Sequence, residues 1–438
     1  MKKIVVILSV VGLVCASVSP LWAGGIINKS NLSADYFRSL TRHASTDAAD
    51  IVAYNPAGVM KMENGFYTKL DILYINKDYE NDVPNNPLPY TGEDGNFKSD
   101  EPSIVPGFFT VYKQDKWAGF FAVTVPGGGG KVKYEDGDAR TSALALSLNY
   151  NPASPVAGLY TGVSDMYLEA DSFAIGYTLG GAYEINSIFS VAGGLRYIDA
   201  TQKFKGRANL IGIAPGVPSL FEVDLERDAT GWGYFLGMNI TPTDKLNFGL
   251  LYQSNTDLDY KSSVTKDDPG VTRVLGWEDG TKQREDLPGI LAAGVSYKFT
   301  PKIRMEVDYT RYLESNATLE ESRFSSPSDP GDSWEVGTSI TYTFNPQWRA
   351  SVGYLYTDIQ GMDVNSLLVE APELDAKTIG LGAVYSPTNR LDISFGYTDV
   401  SYDSQTTTAT PFSSRAPVGT ELKKHVWAVS FGAQYRWF

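Results

Sequence analysis

The feature that most constrains this chain is a period-two alternation of apolar and polar residues, repeated in long segments from Asn64 to the C-terminus. Leu246, Phe248, Leu250 and Tyr252 share one face of a segment whose other face carries Asn247, Gly249, Leu251 and Gln253. Trp334, Val336, Thr338, Ile340, Tyr342 and Phe344 alternate in the same way with Glu335, Gly337, Ser339, Thr341 and Thr343, as do Leu391, Ile393, Phe395 and Tyr397 with Asp392, Ser394, Gly396 and Thr398. Successive side chains of a strand point to opposite sides, so this is a strand period and not a helical one. About fourteen such segments follow one another, and bacterial outer-membrane barrels require an even number. Tight turns such as Gln114-Asp115, Asn186, Thr300-Pro301 and Asn345-Pro346 alternate with long connections near 80–100, 127–165, 206–222, 262–283, 317–332, 359–374 and 404–421. Short loops on one side and long ones on the other are the asymmetry of a membrane barrel, and a soluble sandwich has no reason to show it. The expected fold is an all-β transmembrane β-barrel of fourteen antiparallel strands.

Composition agrees with that reading and excludes others. The 438 residues are 42% hydrophobic and 20% charged, with 42 glycines, 27 tyrosines, two histidines and one cysteine, which rules out disorder, collagen and a disulfide scaffold. The one long apolar run lies at the N-terminus: Lys2 and Lys3, then Ile4 to about Val18, then Pro20 and the small residues Ala23, Gly24 and Gly25. It reads as a secretory signal over residues 1–23, with cleavage after Ala23 and Cys15 lost with it. The formal net charge of −14 grows more negative without Lys2 and Lys3, so nucleic acid is a poor partner.

Residues 24–63 do not alternate. They hold helix-compatible pieces around Ala34–Arg42 and Asp47–Val52, and then Tyr54-Asn55-Pro56-Ala57-Gly58. About forty residues before the first strand are too many for a tail, and a barrel of this size has room for an inward plug. The organisation is therefore a plug over 24–63 and a barrel over 64–438.

Ala44-Ser45-Thr46-Asp47-Ala48-Ala49-Asp50, followed by the Asn55-Pro56-Ala57 tripeptide, resembles the plug segment of the outer-membrane long-chain fatty acid transport proteins, the FadL family with its aromatic-hydrocarbon members. Leu287-Pro288, Gly180-Gly181-Ala182-Tyr183, Gly193-Gly194-Leu195 and the aromatic end of the last segment support the resemblance. It implies a monomeric barrel in the outer membrane of a Gram-negative bacterium, delivered by the barrel-assembly machinery and surrounded by outer-membrane lipid and lipopolysaccharide. It also implies passive uptake of long-chain fatty acids or other hydrophobic compounds (alkanes, aromatic hydrocarbons). Ligand would be captured by outer loops, gated by Asn55, Pro56, Ala57 and Gly58, and released sideways at a kinked third strand. The kink candidate is Val125-Pro126 with Gly127, Gly128, Gly129 and Gly130, where proline lacks a ladder donor and repeated glycine weakens pairing. A flexible outer loop beginning at Pro126 is the competing reading.

Strand parity turns Arg196, Arg304 and Arg349 into the lumen, because an outward arginine costs roughly 2–4 kcal/mol at the bilayer midplane. Each is a candidate ligand contact, or else a partner of Glu306, Asp308, Glu335 or Asp392. Where the family carries a carboxylate-binding arginine this chain has Thr201, with Lys203 nearby, so a carboxylate preference is not implied. Leu210, Ile211 and Ile213 with Phe221, and a second stretch from Ala143 to Tyr160, are too apolar for free loops; they fit a capture groove, or a lid packed on itself. His43 and His425 form no cluster, and Lys266-Asp267-Asp268 and Glu320-Glu321 read as solvated loop surface or as divalent-cation contacts with lipopolysaccharide, not as catalytic pairs. No enzyme chemistry, cofactor or metal site is expected. A general diffusion porin and a surface adhesin or phage receptor remain the rival readings.

Overall fold

The computed structural model describes residues 31–84, 95–139, 159–213, 219–268, 277–318, 331–360, 369–408 and 418–438, together with 141, 215, 272 and 364. The signal segment, Ala143–Leu146 and Glu320-Glu321 lie outside the described residues.

Alternation becomes a single antiparallel sheet that closes on itself. In chain order its strands are β1 (Gly65–Asp82), β2 (Asn96–Ser99), β3 (Ser103–Gln114), β4 (Trp117–Tyr134), β5 (Tyr160–Glu184), β6 (Phe189–Gly212), β7 (Leu220–Thr243), β8 (Leu246–Gln253) and β9 (Asp259–Asp268). There follow β10 (Lys282–Arg284), β11 (Gly289–Lys298), β12 (Ile303–Leu313), β13 (Trp334–Asn345), β14 (Trp348–Asp358), β15 (Ala376–Thr388), β16 (Leu391–Tyr402), β17 (Gln405–Thr406) and β18 (Glu421–Arg436). β2 prolongs β3, β9 prolongs β8, β10 leads into β11 and β17 only extends the β16–β18 hairpin, so the wall has fourteen staves. β1 pairs with β3 on one side and with β18 on the other, from Tyr67↔Arg436 to Asp82↔Glu421, so no strand edge is left open. In hydrocarbon an unpaired peptide group finds no water, and closure removes that cost.

The two faces sort by parity. On β1, Lys69, Asp71 and Leu73 are at most 1% exposed while the intervening Leu70 and Ile72 are 61% and 55% exposed, which sets the first row in the lumen and the second against lipid. Leu179, Trp232, Leu236, Phe344 and Phe431 continue the outer apolar band. Phe438 joins it at the inner rim, 6.5 Å from the Phe66 ring.

Several sequence boundaries change: β1 and β2 enter the expected 80–100 connection, β5 already begins at Tyr160, and β9 carries Lys266, Asp267 and Asp268 as strand. β4 does not dissolve into a loop at Pro126 but runs on to Tyr134, held to β5 by Gly130↔Ser172 and Tyr134↔Leu168. The expected 206–222 connection is largely strand: β6 and β7 stay paired out to Asn209↔Leu220. Both sections keep inward apolar residues at every second position, Val132 and Tyr134 or Ala208 and Leu210, so burial inside the outer mouth sustains the ladder.

Inside the barrel sits the plug. α1 (Ala34–Ser39) is capped by Ser33, whose Oγ accepts from the Tyr36 amide at 3.1 Å. Leu40 ends it in the left-handed region at φ +59°, a conformation that costs a leucine about 1–2 kcal/mol and is held here by burial of its side chain. Two 3-10 helices follow, Ala49–Ala53 and Pro56–Lys61, the second with Pro56 at its first turn where a missing N–H is harmless.

Candidate functional site

The plug carries more charge than an apolar core tolerates, and among its described residues the buried charges are paired. Arg42 grips Asp50 with Nη2 at 2.7 Å and Nε at 3.1 Å, and reaches Asp47 with Nη1 at 2.7 Å. Arg38 holds Asp35 at 2.6 Å and donates to Ser351 of β14 at 2.7 Å. Burial would raise the Asp35 carboxyl, yet Lys69, Arg38 and Arg42 together hold it far below the usual carboxylate range. The backbone of residues 42–45 docks on two acids of β12: Arg42 and His43 amides donate to Asp308 at 2.6 and 2.8 Å, and the Ala44 amide and Ser45 hydroxyl donate to Glu306 at 3.0 and 2.9 Å. His43 is buried between the Tyr54 carbonyl and Thr310, and burial pushes its imidazole down to about 4.

Lumen glycines make the seat. A Cβ at Gly249 would lie 1.7 Å from the His43 carbonyl oxygen, and one at Gly353 1.9 Å from that of Ser39. Only glycine lets the plug backbone approach the wall so closely. Asn55 fixes the far side, donating from Nδ2 to the Ser45 carbonyl at 3.2 Å and to Asn239 of β7 at 2.8 Å. Pro56 packs toward Gly237, and the Ala57 carbonyl accepts from Ser190 of β6 at 2.9 Å. Gly58 stands against the Asn55 amide, where a Cβ would come within 2.5 Å of Nδ2.

Above α1, in the outer half of the barrel, lies a cavity of about 140 Å³. Tyr36, Phe37 and Leu40 form its floor, and Leu355, Val400, Val426 and Ala428 belong to its walls. Polar contacts come from Glu335, Thr357, Thr378, Thr398, Tyr312 and Tyr402. A mostly apolar hollow with few polar groups is the usual make-up of a small-molecule site.

Ile75 of β1 also lines this cavity, and the next inward residue, Lys77, leads to an irregularity in the wall. The β3–β4 ladder runs from Gln114↔Trp117 only to Phe108↔Val123. Beyond it β4 shifts register twice, between Thr124 and Gly127 and again before Gly130, with Gly128 and Gly130 at φ +86° and +68°. A Cβ at Gly128 would fall 2.2 Å from the Ser172 carbonyl oxygen, so the bend requires glycine. Across the interrupted ladder Lys77 Nζ donates to Ser103 Oγ of β3 at 2.9 Å and to the Gly129 and Lys131 carbonyls of β4 at 2.8 and 2.6 Å.

A family model described as "Outer membrane protein transport protein (OMPP1/FadL/TodX)" matches residues 13–437. The chain belongs to this family. No curated protein sequence matches it. Among solved structures it is similar to a FadL homologue of Pseudomonas aeruginosa, at 15% identity and a TM-score of 0.68, over 95% of this chain and 100% of that one. It is similar also to the toluene transporter TbuX of Ralstonia pickettii (15%, TM-score 0.61, 95% and 99% covered) and to the toluene transporter TodX of Pseudomonas putida (13%, 0.62, 94% and 99%). At such identities the likeness is one of fold, the closed fourteen-stranded barrel with its plug.

Within this FadL-type barrel the arginines singled out by parity scatter. Arg304 lies 3.5 Å from Glu306 and 3.4 Å from Ser45, beside the plug, and Arg349 lies 3.6 Å from Asp392. Arg196, on another part of the wall, donates to Gln253 at 2.7 Å. None of the three lines the cavity. Lys203 is a correction: it stands on the outer face, 54% exposed and 3.2 Å from Glu226, because its inward neighbour on β6 is Gln202. Leu210 and Phe221 are buried in the outer mouth, whereas Ile211 and Ile213 point outward, so these four do not form one groove. Among the described residues no group of three or more metal-binding side chains gathers. The residues that sequence reasoning missed as site residues are Lys77 and Glu335; each is a charge at an inward position of its strand, β1 or β13, and that parity is the signal that could have marked them.

Proposed function

We propose that this family member carries small hydrophobic molecules passively through the outer membrane. Ligand enters at the apolar outer mouth, rests in the cavity above α1, and leaves sideways into the bilayer where the β3–β4 ladder is interrupted. The observation that carries the reading is the cavity itself, apolar, floored by the plug and one side chain away from the irregular wall. The neighbours described as toluene transporters support it. The driving force is the partition of apolar surface out of water, so no energy source is needed. A general porin is disfavoured because the plug fills the lumen, and an adhesin needs no such cavity.

Filling the cavity tests the reading. Leu355→Trp should cut uptake of radiolabelled toluene or oleate several-fold in cells relying on this protein, at a stability cost of about 1–3 kcal/mol that leaves the barrel assembled. Uptake equal to that of the unchanged protein would refute a ligand station at this cavity.

A further inference from the structure

Three threonines bring hydroxyls to the cavity above α1 from three consecutive strands: Thr357 on β14, Thr378 on β15 and Thr398 on β16. Each stands at an inward position of its strand, and none is more than 8% exposed. Thr357 is already engaged, since it donates to Glu335 at 2.9 Å. Thr378 and Thr398 are not: among the described residues neither hydroxyl bonds to another protein group, and neither is sealed off from the cavity it lines.

Across the β15–β16 ladder Thr378 stands directly opposite the apolar Val400, and Thr398 lies one inward step nearer the plug, opposite Gly380. A Cβ at Gly380 would come within 2.7 Å of the Phe37 carbonyl oxygen, so α1 passes close to the wall here and Thr398 meets the cavity at its floor. Diagonal neighbours on adjacent strands lie about 7 Å apart, close enough for one ligand oxygen to sit between the two hydroxyls. The charged groups of this region are engaged by the wall. Glu335 accepts from Tyr312 and Thr357, and the Lys424 ammonium stands over the rings of Tyr79 and Tyr402, 4.5 Å from the second.

A pure hydrocarbon that fills the cavity leaves both threonine hydroxyls unbonded and cut off from water, which costs more than a hydrogen bond gains on balance. A molecule that brings its own hydroxyl replaces water bond for bond, since threonine both donates and accepts. From this geometry we infer that the cavity recognises neutral hydroxylated molecules, alcohols or phenols of about one ring's bulk, with Thr378 and Thr398 as the specificity-determining residues. A volume of about 140 Å³ has room for such a ring. The inference rests on the proposed role of the cavity as the ligand station.

The test uses benzyl alcohol and ethylbenzene, which have nearly the same shape and differ by a hydroxyl in place of a methyl. Neither carries a charge, so Glu335 and Lys424 do not decide between them. Each is titrated calorimetrically into the full-length protein and into Thr378→Val/Thr398→Val in the same detergent, so that partition of the ligand into micelles cancels between the two proteins. Valine keeps the shape of threonine without its hydroxyl, and the heat-dependent gel shift checks that the variant is folded. The double variant should bind benzyl alcohol about tenfold more weakly and ethylbenzene as well or better, and each single variant should lose about threefold for the alcohol alone. Benzyl alcohol binding that the folded variants leave unchanged overturns the inference, as does an equal loss of both ligands. Leu355→Trp separates this failure from that of the station: if it binds both ligands as well as the unchanged protein does, the ligand station itself falls and the recognition assigned to it falls too.

Discussion

At the scale of single residues, the plug is held by short polar side chains whose partners are distant in sequence. Asn55 is the clearest case, because its one amide spans Ser45 within the plug and Asn239 in the wall. Each such bond contributes about 1 kcal/mol net, and Pro56 adds rigidity by restricting the unfolded chain. Replacing Asn55 and Pro56 together with alanine should slow ligand uptake while leaving assembly intact, checked by transport rate and by the heat-dependent gel shift of folded barrels. Normal uptake by that variant would remove the gating role that the family resemblance implies for this turn. Parity alone could turn Arg196, Arg304 and Arg349 inward, since the bilayer penalises the opposite choice. It could not name their partners, because Arg304 meets Ser45 across a separation of 259 residues. Lys203 shows the limit from the other side: above the apolar band a charged side chain faces water on either parity, so only the continuing alternation decides.

At the scale of elements, strands were legible and their ends were not. The period-two pattern marks each stave because one face meets lipid and the other the lumen. It fades at Pro126, where five residues supply no alternation, and so β4 reads as ending there. Its continuation depends on pairing with β5 and on Val132 and Tyr134 packing inside the mouth, which are long-range facts. The bend leaves β3 and β4 joined across the gap by an ammonium group instead of by peptide hydrogen bonds. Lys77→Met keeps the apolar stem but withdraws the donor from Ser103, Gly129 and Lys131. Amide exchange over 103–107 and 124–131 should then rise about tenfold, the equivalent of one or two lost hydrogen bonds, and uptake should increase. Exchange at the unchanged rate would show that Lys77 does not hold the wall shut.

At the scale of the whole molecule, barrel and plug are complementary in shape and in charge. The wall gives up side chains where the plug backbone passes, at Gly249, Gly294, Gly337 and Gly353, and offers Glu306, Asp308 and Lys69 where the plug presents donors or acids. A fourteen-stranded barrel stripped of its contents is wide enough for water, and the freed Glu306 and Asp308 would be solvated instead of stranded. Removal of residues 24–63 should therefore leave a barrel that still assembles, because its lipid-facing band and its closing β1–β18 seam contain none of those residues. Reconstituted in a planar bilayer, that deletion should conduct ions steadily where the intact protein is nearly silent. A deletion variant that assembles yet conducts no better than the intact protein would mean that the outer mouth, with its buried Tyr79, Phe97, Tyr134 and Phe221, is the true barrier and that the plug only shapes the cavity floor.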